Sequence, residues 1–466
     1  MLFNSLEFAI FLPIVFFLFW ALSKKGVTAQ NVLLLGASYF FYGWWDWRFL
    51  SLIFFSSLID YFVGLKMAKT DEPTARKHLL WISLGVNLGF LAFFKYFNFF
   101  MDSFTEAFTF FGASIPASRL NIILPVGISF YTFQTLSYSI DIYYKRLQPT
   151  RNLLAFMAFV SFFPQLVAGP IERATNLLPQ FFRERKFNYE NASQGLKMML
   201  WGFFMKVAVA DRLAIYVDDV FQSPETHSWL TLSVTTVFFA FQIYGDFAGY
   251  SLIAIGCAKL FDFELMTNFR RPYFATSFKS FWGRWHISLS TWFKDYVYIP
   301  LGGSRVSTQR SSFNLMATFI ISGFWHGANW TFIVWGALHG FYQILEKYLV
   351  KGNVPKYLMM VIVFALTCLA WVFFRAPSVT DAFVVISRIL TGAGSGLYFG
   401  DKGIFLFGLI ALLILFVNDY ITEYKPNLQL IYHPQVVVRF SAILLILMYI
   451  TALGVFDRSQ FIYFQF

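Results

Sequence analysis

The stretch Gly323-Phe324-Trp325-His326-Gly327-Ala328-Asn329-Trp330 decides how this chain is read. Apolar runs flank it, 313–321 before and 332–338 after, and the apolar pattern resumes through Thr331 to His339-Gly340. A titratable imidazole in such surroundings is expensive unless it is paired or used. The composition extends the same reading to the whole chain. Of 466 residues 58% are hydrophobic and only 13% charged, against about 25% charged in a soluble domain. So few charges cannot cover a water-facing surface, and the chain reads as a polytopic, all-α membrane protein. The 63 Phe residues are tolerated throughout lipid, and the 14 Trp and 24 Tyr suit interfacial belts.

The net charge of +11 does not point to nucleic acid. The basic residues fall in short clusters between apolar runs, as expected for loops facing the cytosol and anionic lipid. Cys257 and Cys368 both lie in apolar stretches and read as small core residues. No spaced His/Cys cluster signals a metal. Residues 1–22 are apolar with Glu7 as the early charge, and they read as a first membrane helix rather than a cleaved signal.

A bilayer-crossing helix needs about 20 mostly apolar residues. Candidate spans are 8–22, 30–45, 49–65, 79–101, 120–138, 153–167, 195–210, 230–252, 313–325, 331–349, 357–374, 404–418 and 436–455. Several are short for a bilayer, so about 11 true spans are expected, with re-entrant or tilted pieces that surround a cavity. Two longer, more basic stretches, 143–189 and 259–310, read as amphipathic helices lying on the cytoplasmic surface. No soluble domain interrupts the pattern. The whole of 1–466 is expected to form one membrane domain, and any chemistry must take place within it.

Three of the six histidines, His78, His227 and His433, sit in polar loops. The other three sit in apolar company: His326, His339 in Ala337-Leu338-His339-Gly340, and His286 in Trp282-Gly283-Arg284-Trp285-His286-Ile287-Ser288. On one continuous helix, His326 and His339 would be separated by about 20 Å of rise and roughly 220° of rotation. Gly327-Ala328-Asn329 instead predicts a break, with His326 at the tip of one helix and His339 inside the next. The stretch 281–303 mixes polar groups with aromatics. It serves either as an interfacial anchor or, through Arg284 and Lys294, as a site for an anionic thioester donor. Asp246, in Tyr244-Gly245-Asp246-Phe247-Ala248-Gly249-Tyr250-Ser251, lies mid-span and is either functional or a structural partner of an arginine. No serine-hydrolase elbow, phosphate loop or dinucleotide motif occurs. A lone histidine base suits acyl transfer, taking the proton of an acceptor hydroxyl that attacks a thioester.

At these residues the chain resembles the membrane-bound O-acyltransferase superfamily, and within it the bacterial alginate O-acetyltransferase branch. The stretches that carry the resemblance are Met1-Leu2-Phe3-Asn4-Ser5, Leu124-Pro125-Val126-Gly127-Ile128-Ser129-Phe130, Val167-Ala168-Gly169-Pro170-Ile171, 244–251, 281–303 and 323–330. Arg284-Trp285-His286 and Trp325-His326-Gly327 together are the most specific. The resemblance implies a ring of membrane helices around a tunnel, His326 as the catalytic histidine and His286 as a second recurrent one. It also implies acetyl-CoA or another acyl thioester as donor, with no bound cofactor. The acetyl group would pass to an extracytoplasmic SGNH esterase-like partner and then to a polysaccharide hydroxyl, from a multi-pass position in the inner membrane. Remaining candidates for the tunnel wall or the donor site are His339, Asp246, Tyr250, Arg284, Trp285, Trp325, Asn329 and Ser290. Alternative readings are D-alanyl transfer to teichoic acid, peptidoglycan O-acetylation and, more distantly, transport without chemistry.

Overall fold

A computed structural model describes residues 1–112, 119–167, 169–350, 352, 354–456 and 461–462; Ala168 of the Val167–Ile171 motif lies outside them. Among the described residues every regular element is helical. Among the described residues six helical stretches are long and apolar enough to cross a membrane: Val27–Ala68, Pro73–Phe110, Trp229–Leu260, Lys356–Arg375, Lys402–Tyr424 and Val436–Leu453. The chain divides into two compact units, one of residues 1–196 and 254–266, the other of 197–253 and 267–466.

In the first unit the expected span 120–138 starts late. Its helix is Ile128–Tyr143, because Gly127 takes a left-handed conformation (φ 74°) at the N-cap. A Cβ there would lie 2.8 Å from the Leu166 carbonyl oxygen, so only glycine fits. The expected span 153–167 is broken at Phe162 into Leu153–Ser161 and Phe163–Leu166, both too short to cross a bilayer alone.

In 143–189 and 259–310 most of the basic residues are exposed, Arg146, Arg151, Arg183, Lys186, Lys294 and Arg310 among them, but many of the aromatic residues between them turn inward. Phe156, Phe159, Phe162, Phe181, Phe263, Trp285 and His286 are completely buried. These stretches hold enough aromatic surface to fold inward, and some of their polar groups find internal partners. Arg185 donates to Asn31 Oδ1 (3.1 Å) and the Gln180 carbonyl (3.0 Å), with its guanidinium 4.4 Å from the centre of the Phe263 ring. Glu172, fully buried, accepts from Asn176 Nδ2 and the Met266 amide. Burial pushes its carboxyl up to about 7.

The second unit is built on a helical hairpin, Thr308–His326 and Trp330–Leu349. The connection is three residues, Gly327-Ala328-Asn329, where the sequence placed it. Gly327 is extended (φ −160°), so its backbone would suit any residue; a side chain is excluded because a Cβ would collide with the Phe332 ring. The seam between the helices is lined by small residues. A Cβ on Gly323 would strike the Phe332 carbonyl oxygen, and one on Gly336 the Phe319 carbonyl oxygen. Apolar side chains gain little from helix association in lipid, so such close backbone approach supplies the packing. Gly323→Val is therefore expected to force the hairpin apart, destabilising by about 1–3 kcal/mol or more. Melting of the detergent-solubilised protein checks this. Gly85→Ala, at a helical glycine with open space around it, should leave the melting point unchanged or raised.

The Trp229–Leu260 helix uses three faces at once, each set by i, i+4 spacing. Gly245 and Gly249 abut the 202–205 backbone: Cβ atoms on Gly202 and Gly249 would each lie within 2.7 Å of the other's carbonyl oxygen. Asp246 and Tyr250 face Lys206, which sits in the π-helical turn Phe204–Ala210. Phe247 and Ser251 face the loop that carries His286. This third face positions the site described next.

Candidate functional site

His286 lies at the N-cap of a short helix, Ile287–Phe293, with a left-handed backbone (φ 42°, ψ 54°). A non-glycine residue there is strained. The conformation is held on both sides. The Ile287 amide donates to the Asn268 carbonyl (2.9 Å), the Ser290 amide to the His286 carbonyl (2.9 Å) and the Trp285 amide to the Phe281 carbonyl (2.8 Å). Residues 268–270 thus run alongside 284–287, joined also by the Arg270 amide to the Arg284 carbonyl. Asn268 reaches the ring as well. Its Oδ1 lies 3.1 Å from His286 Nδ1 and accepts from the Ser288 amide (3.2 Å) and hydroxyl (2.9 Å), while its Nδ2 donates to Ser251 Oγ.

His326 is the last residue of its helix and is 2% exposed. Its ring centroid is 6.3 Å from that of His286. Trp325 touches both, at 4.9 Å from His326 and 6.2 Å from His286. On its other side His326 packs against Trp335 (4.9 Å) and Phe374 (5.6 Å). Trp335 in turn separates His326 from His339, whose ring is 5.0 Å from Trp335 and from Trp282. The two histidines of the hairpin therefore flank one indole and do not meet, as the helical geometry anticipated. Burial drives the His286 imidazole well below its ordinary pKa, favouring the neutral ring.

The segments that carry the histidines also line a cavity of about 770 Å³, within the size range of small-molecule sites, although neither His286 nor His326 is part of its described wall. Its wall includes Ile287 and Ser290, just after His286, and Ser322, which shares a helix face with His326. It also carries Lys279, Lys294 and Lys347 against a single acid, Glu346. Glu346 accepts from the Phe278 amide and caps the Phe278–Trp282 helix. Hydroxyls and lysines on an otherwise apolar wall suit a long, amide-bearing, anionic molecule.

The structure brings together His286, His326 and Trp325, with Ser290 on the cavity wall and His339 behind Trp335. Trp285 is fully buried against Trp371, Phe281 and Phe269, supporting the loop. The remaining candidates lie elsewhere. Arg284 is bound to Glu423 (2.9 Å), which also holds Arg271 (2.6 Å), and it does not appear in the described cavity wall. Asn329 is the N-cap of the Trp330–Leu349 helix, accepting from the Thr331 amide and donating to the Pro377 carbonyl. Asp246 pairs with Lys206 (2.8 Å), a lysine rather than the expected arginine; Lys206 also holds Asp211 (2.7 Å), and Tyr250 covers the ammonium. Asp246 turns away from the histidines because Phe247, the next residue round the helix, is the one that meets His286 (4.5 Å). Asn268, Lys206 and Ser322 were not marked by the sequence. Each draws its meaning from a partner or a cavity that only folding supplies.

Residues 143–374 match the membrane-bound O-acyltransferase family. The chain is 42% identical over 391 residues to a probable alginate O-acetylase of Pseudomonas aeruginosa, covering 82% of this chain and 73% of that protein. It is 38% identical over 428 residues to the peptidoglycan O-acetyltransferase of Helicobacter pylori, covering 84% and 80%. A teichoic acid D-alanyltransferase of Streptococcus thermophilus is 30% identical over 243 residues, 48% of this chain and 56% of that one.

Proposed function

Since this chain belongs to the membrane-bound O-acyltransferase family, we propose that it transfers an acetyl group from a cytosolic thioester to an extracytoplasmic acceptor, for O-acetylation of an alginate-like polysaccharide. The observation that carries this reading is the pair of buried histidines, their ring centroids 6.3 Å apart, on segments that also line a cavity with hydroxyls and three lysines. Acetyl-CoA is the proposed donor, its pantetheine arm in the cavity and its phosphates near Lys279, Lys294 and Lys347. The proposed acceptor is the hydroxyl of an SGNH esterase-like partner, which passes the acetyl group on to the polysaccharide. The setting is the inner membrane, with about 11 spans of a single domain surrounding a central tunnel.

In the proposed reaction His326 is the general base. It takes the proton of the acceptor hydroxyl as the oxygen attacks the thioester carbonyl. The tetrahedral intermediate collapses, the C–S bond breaks, and the proton on the imidazole passes to the departing thiolate. Acetyl is thereby moved from sulfur to oxygen without oxidant or metal in the balance. The low-dielectric surroundings of Trp325, Trp335 and Phe374 strengthen the charge interactions that develop.

Peptidoglycan as final acceptor is the second reading, favoured by the 38% identity to the Helicobacter pylori relative over most of both chains. D-alanyl transfer matches over about half the chain.

Proteoliposomes given acetyl-labelled CoA and the partner protein test the proposal. Label covalently bound to the partner, and then to polysaccharide, is expected; unmodified substrate crossing the bilayer would instead identify a transporter. In the same assay Lys279→Glu/Lys347→Glu should raise the donor KM about tenfold while leaving kcat within a factor of two. An effect of that size corresponds to about 1.4 kcal/mol of lost charge attraction. An unchanged KM would remove the donor from this cavity.

A further inference from the structure

We propose that Asn268 is a positioning residue for acyl transfer: it holds His286 in the Nδ1–H tautomer, so that Nε2 is the nitrogen that accepts a proton. The inference rests on the functional reading above and adds a direction to one of its two histidines.

The orientation of the Asn268 amide settles the argument. An asparagine can be flipped without changing its shape, so its oxygen must be identified by its neighbours. Here the backbone N–H of Ser288 points at one end of the amide from 3.2 Å. A backbone N–H can only donate, so that end is the oxygen. The other end, the NH₂, donates to Ser251 Oγ at 3.1 Å. The same oxygen is 3.1 Å from His286 Nδ1. An amide oxygen has no proton to give, so a hydrogen bond at that distance requires the proton to be on Nδ1. Ser288 Oγ gives its proton to the same oxygen (2.9 Å), and its lone pairs, 3.4 Å from Nδ1, favour the same tautomer.

The arrangement is rigid and dry. Asn268 is 1% exposed, and His286 and Ser288 are fully buried. Asn268 also accepts the Ile287 amide on its own carbonyl, so one residue fixes both the strained backbone of His286 and the rotation of its ring. Among the described residues His326, on the Thr308–His326 helix, is a titratable group facing His286; the Trp229–Leu260 helix contributes the Phe247 ring, and Phe269 stacks from the 268–270 segment. Burial favours the neutral ring. A neutral imidazole carries one N–H, and Asn268 uses it. His286 therefore accepts a proton at Nε2, and it does not donate a hydrogen bond to a developing oxyanion.

The test uses full-length protein in proteoliposomes with acetyl-CoA and the partner protein, together with nitrogen-15 spectra of histidine-labelled protein. Wild-type protein should show an Nδ1–H resonance that is lost in Asn268→Ala. Asn268→Ala should lower kcat about 10–100-fold while donor KM stays within a factor of two. Asn268→Asp preserves the acceptor at Nδ1 and places a carboxylate there, which stabilises imidazolium and raises its pKa. The acid limb of the kcat–pH profile should then move to higher pH by about one unit. A purely structural asparagine would leave that limb where it is in wild type. An Nε2–H resonance in wild type, unchanged kcat in Asn268→Ala, or an unmoved acid limb in Asn268→Asp would each overturn the inference. If Asn268→Ala does not fold, Asn268→Asp and the wild-type spectrum still decide it. Wild-type protein that transfers no acetyl group would sink the functional reading and this role with it, whereas active wild type with indifferent Asn268 variants would sink this inference alone.

Discussion

His326→Ala is expected to lower acetyl transfer by about 10²–10⁴-fold, the usual worth of a positioned general base, while the protein reaches the membrane at normal levels. The side chain sits on the last residue of its helix, just before the Gly327-Ala328-Asn329 connection. Its removal breaks no turn of the hairpin, and the glycine seam at Gly323 and Gly336 is untouched. What is lost is an imidazole between Trp325, Trp335 and Phe374, in ring contact with His286. His339→Ala offers the contrast. Separated from His326 by Trp335, His339 packs against Phe281, Trp282 and Trp371. Its loss should lower the melting temperature and change kcat less than about tenfold, a barrier change below 1.4 kcal/mol. The measurement is label transferred to the partner per milligram of folded enzyme. Retained transfer in His326→Ala would end the assignment of that residue as base.

The largest effect on stability is expected from Lys206→Met. The ammonium is 1% exposed and lies 2.7 Å from Asp211 and 2.8 Å from Asp246. Asp246 also accepts the Ile462 amide (2.7 Å). Removing the lysine leaves two buried carboxylates without their shared cation, a loss of about 3–5 kcal/mol for a broken buried pair. Melting followed by size-exclusion of the detergent-solubilised protein should show a large drop. Adding Asp211→Asn and Asp246→Asn to Lys206→Met should restore much of it, because an uncharged trio carries no unpaired charge. Lys206→Met with a wild-type melting curve would show that the carboxylates do not depend on it. Since Asp246 faces Lys206 while Phe247 faces His286, the asparagine variant is expected to affect stability well before it affects donor KM.

These two predictions divide the molecule along the line that separates what was readable from what was not. The hairpin was legible because its information is local. Two apolar runs of helical length, a Gly-Ala-Asn break and a histidine before it place His326 at a helix tip whatever surrounds it. The glycines too were visible as letters, although the carbonyl oxygens they admit were not. The polar stretches were legible on their exposed basic side but not on their buried one. Basic residues spaced among aromatics at 143–189 and 259–310 resemble a surface helix, and the pattern is the same when arginines are satisfied inside, as Arg185 is by Asn31 and the Gln180 carbonyl. Arg284 had the charge for a donor site, but Glu423 holds it.

By itself the sequence determined the class: too few charges for a soluble surface, apolar runs of membrane length, and histidines where only use or pairing justifies them. These follow from solvation, which acts residue by residue. Tertiary structure alone decided which polar groups meet. That His286 approaches His326, that Asn268 orients it, and that Asp246 belongs to Lys206 depend on three faces of one helix packing against separate segments. Hydrogen bonds and ion pairs require particular atoms within about 3 Å, and no periodicity in the chain encodes a distance between residues that only folding brings together.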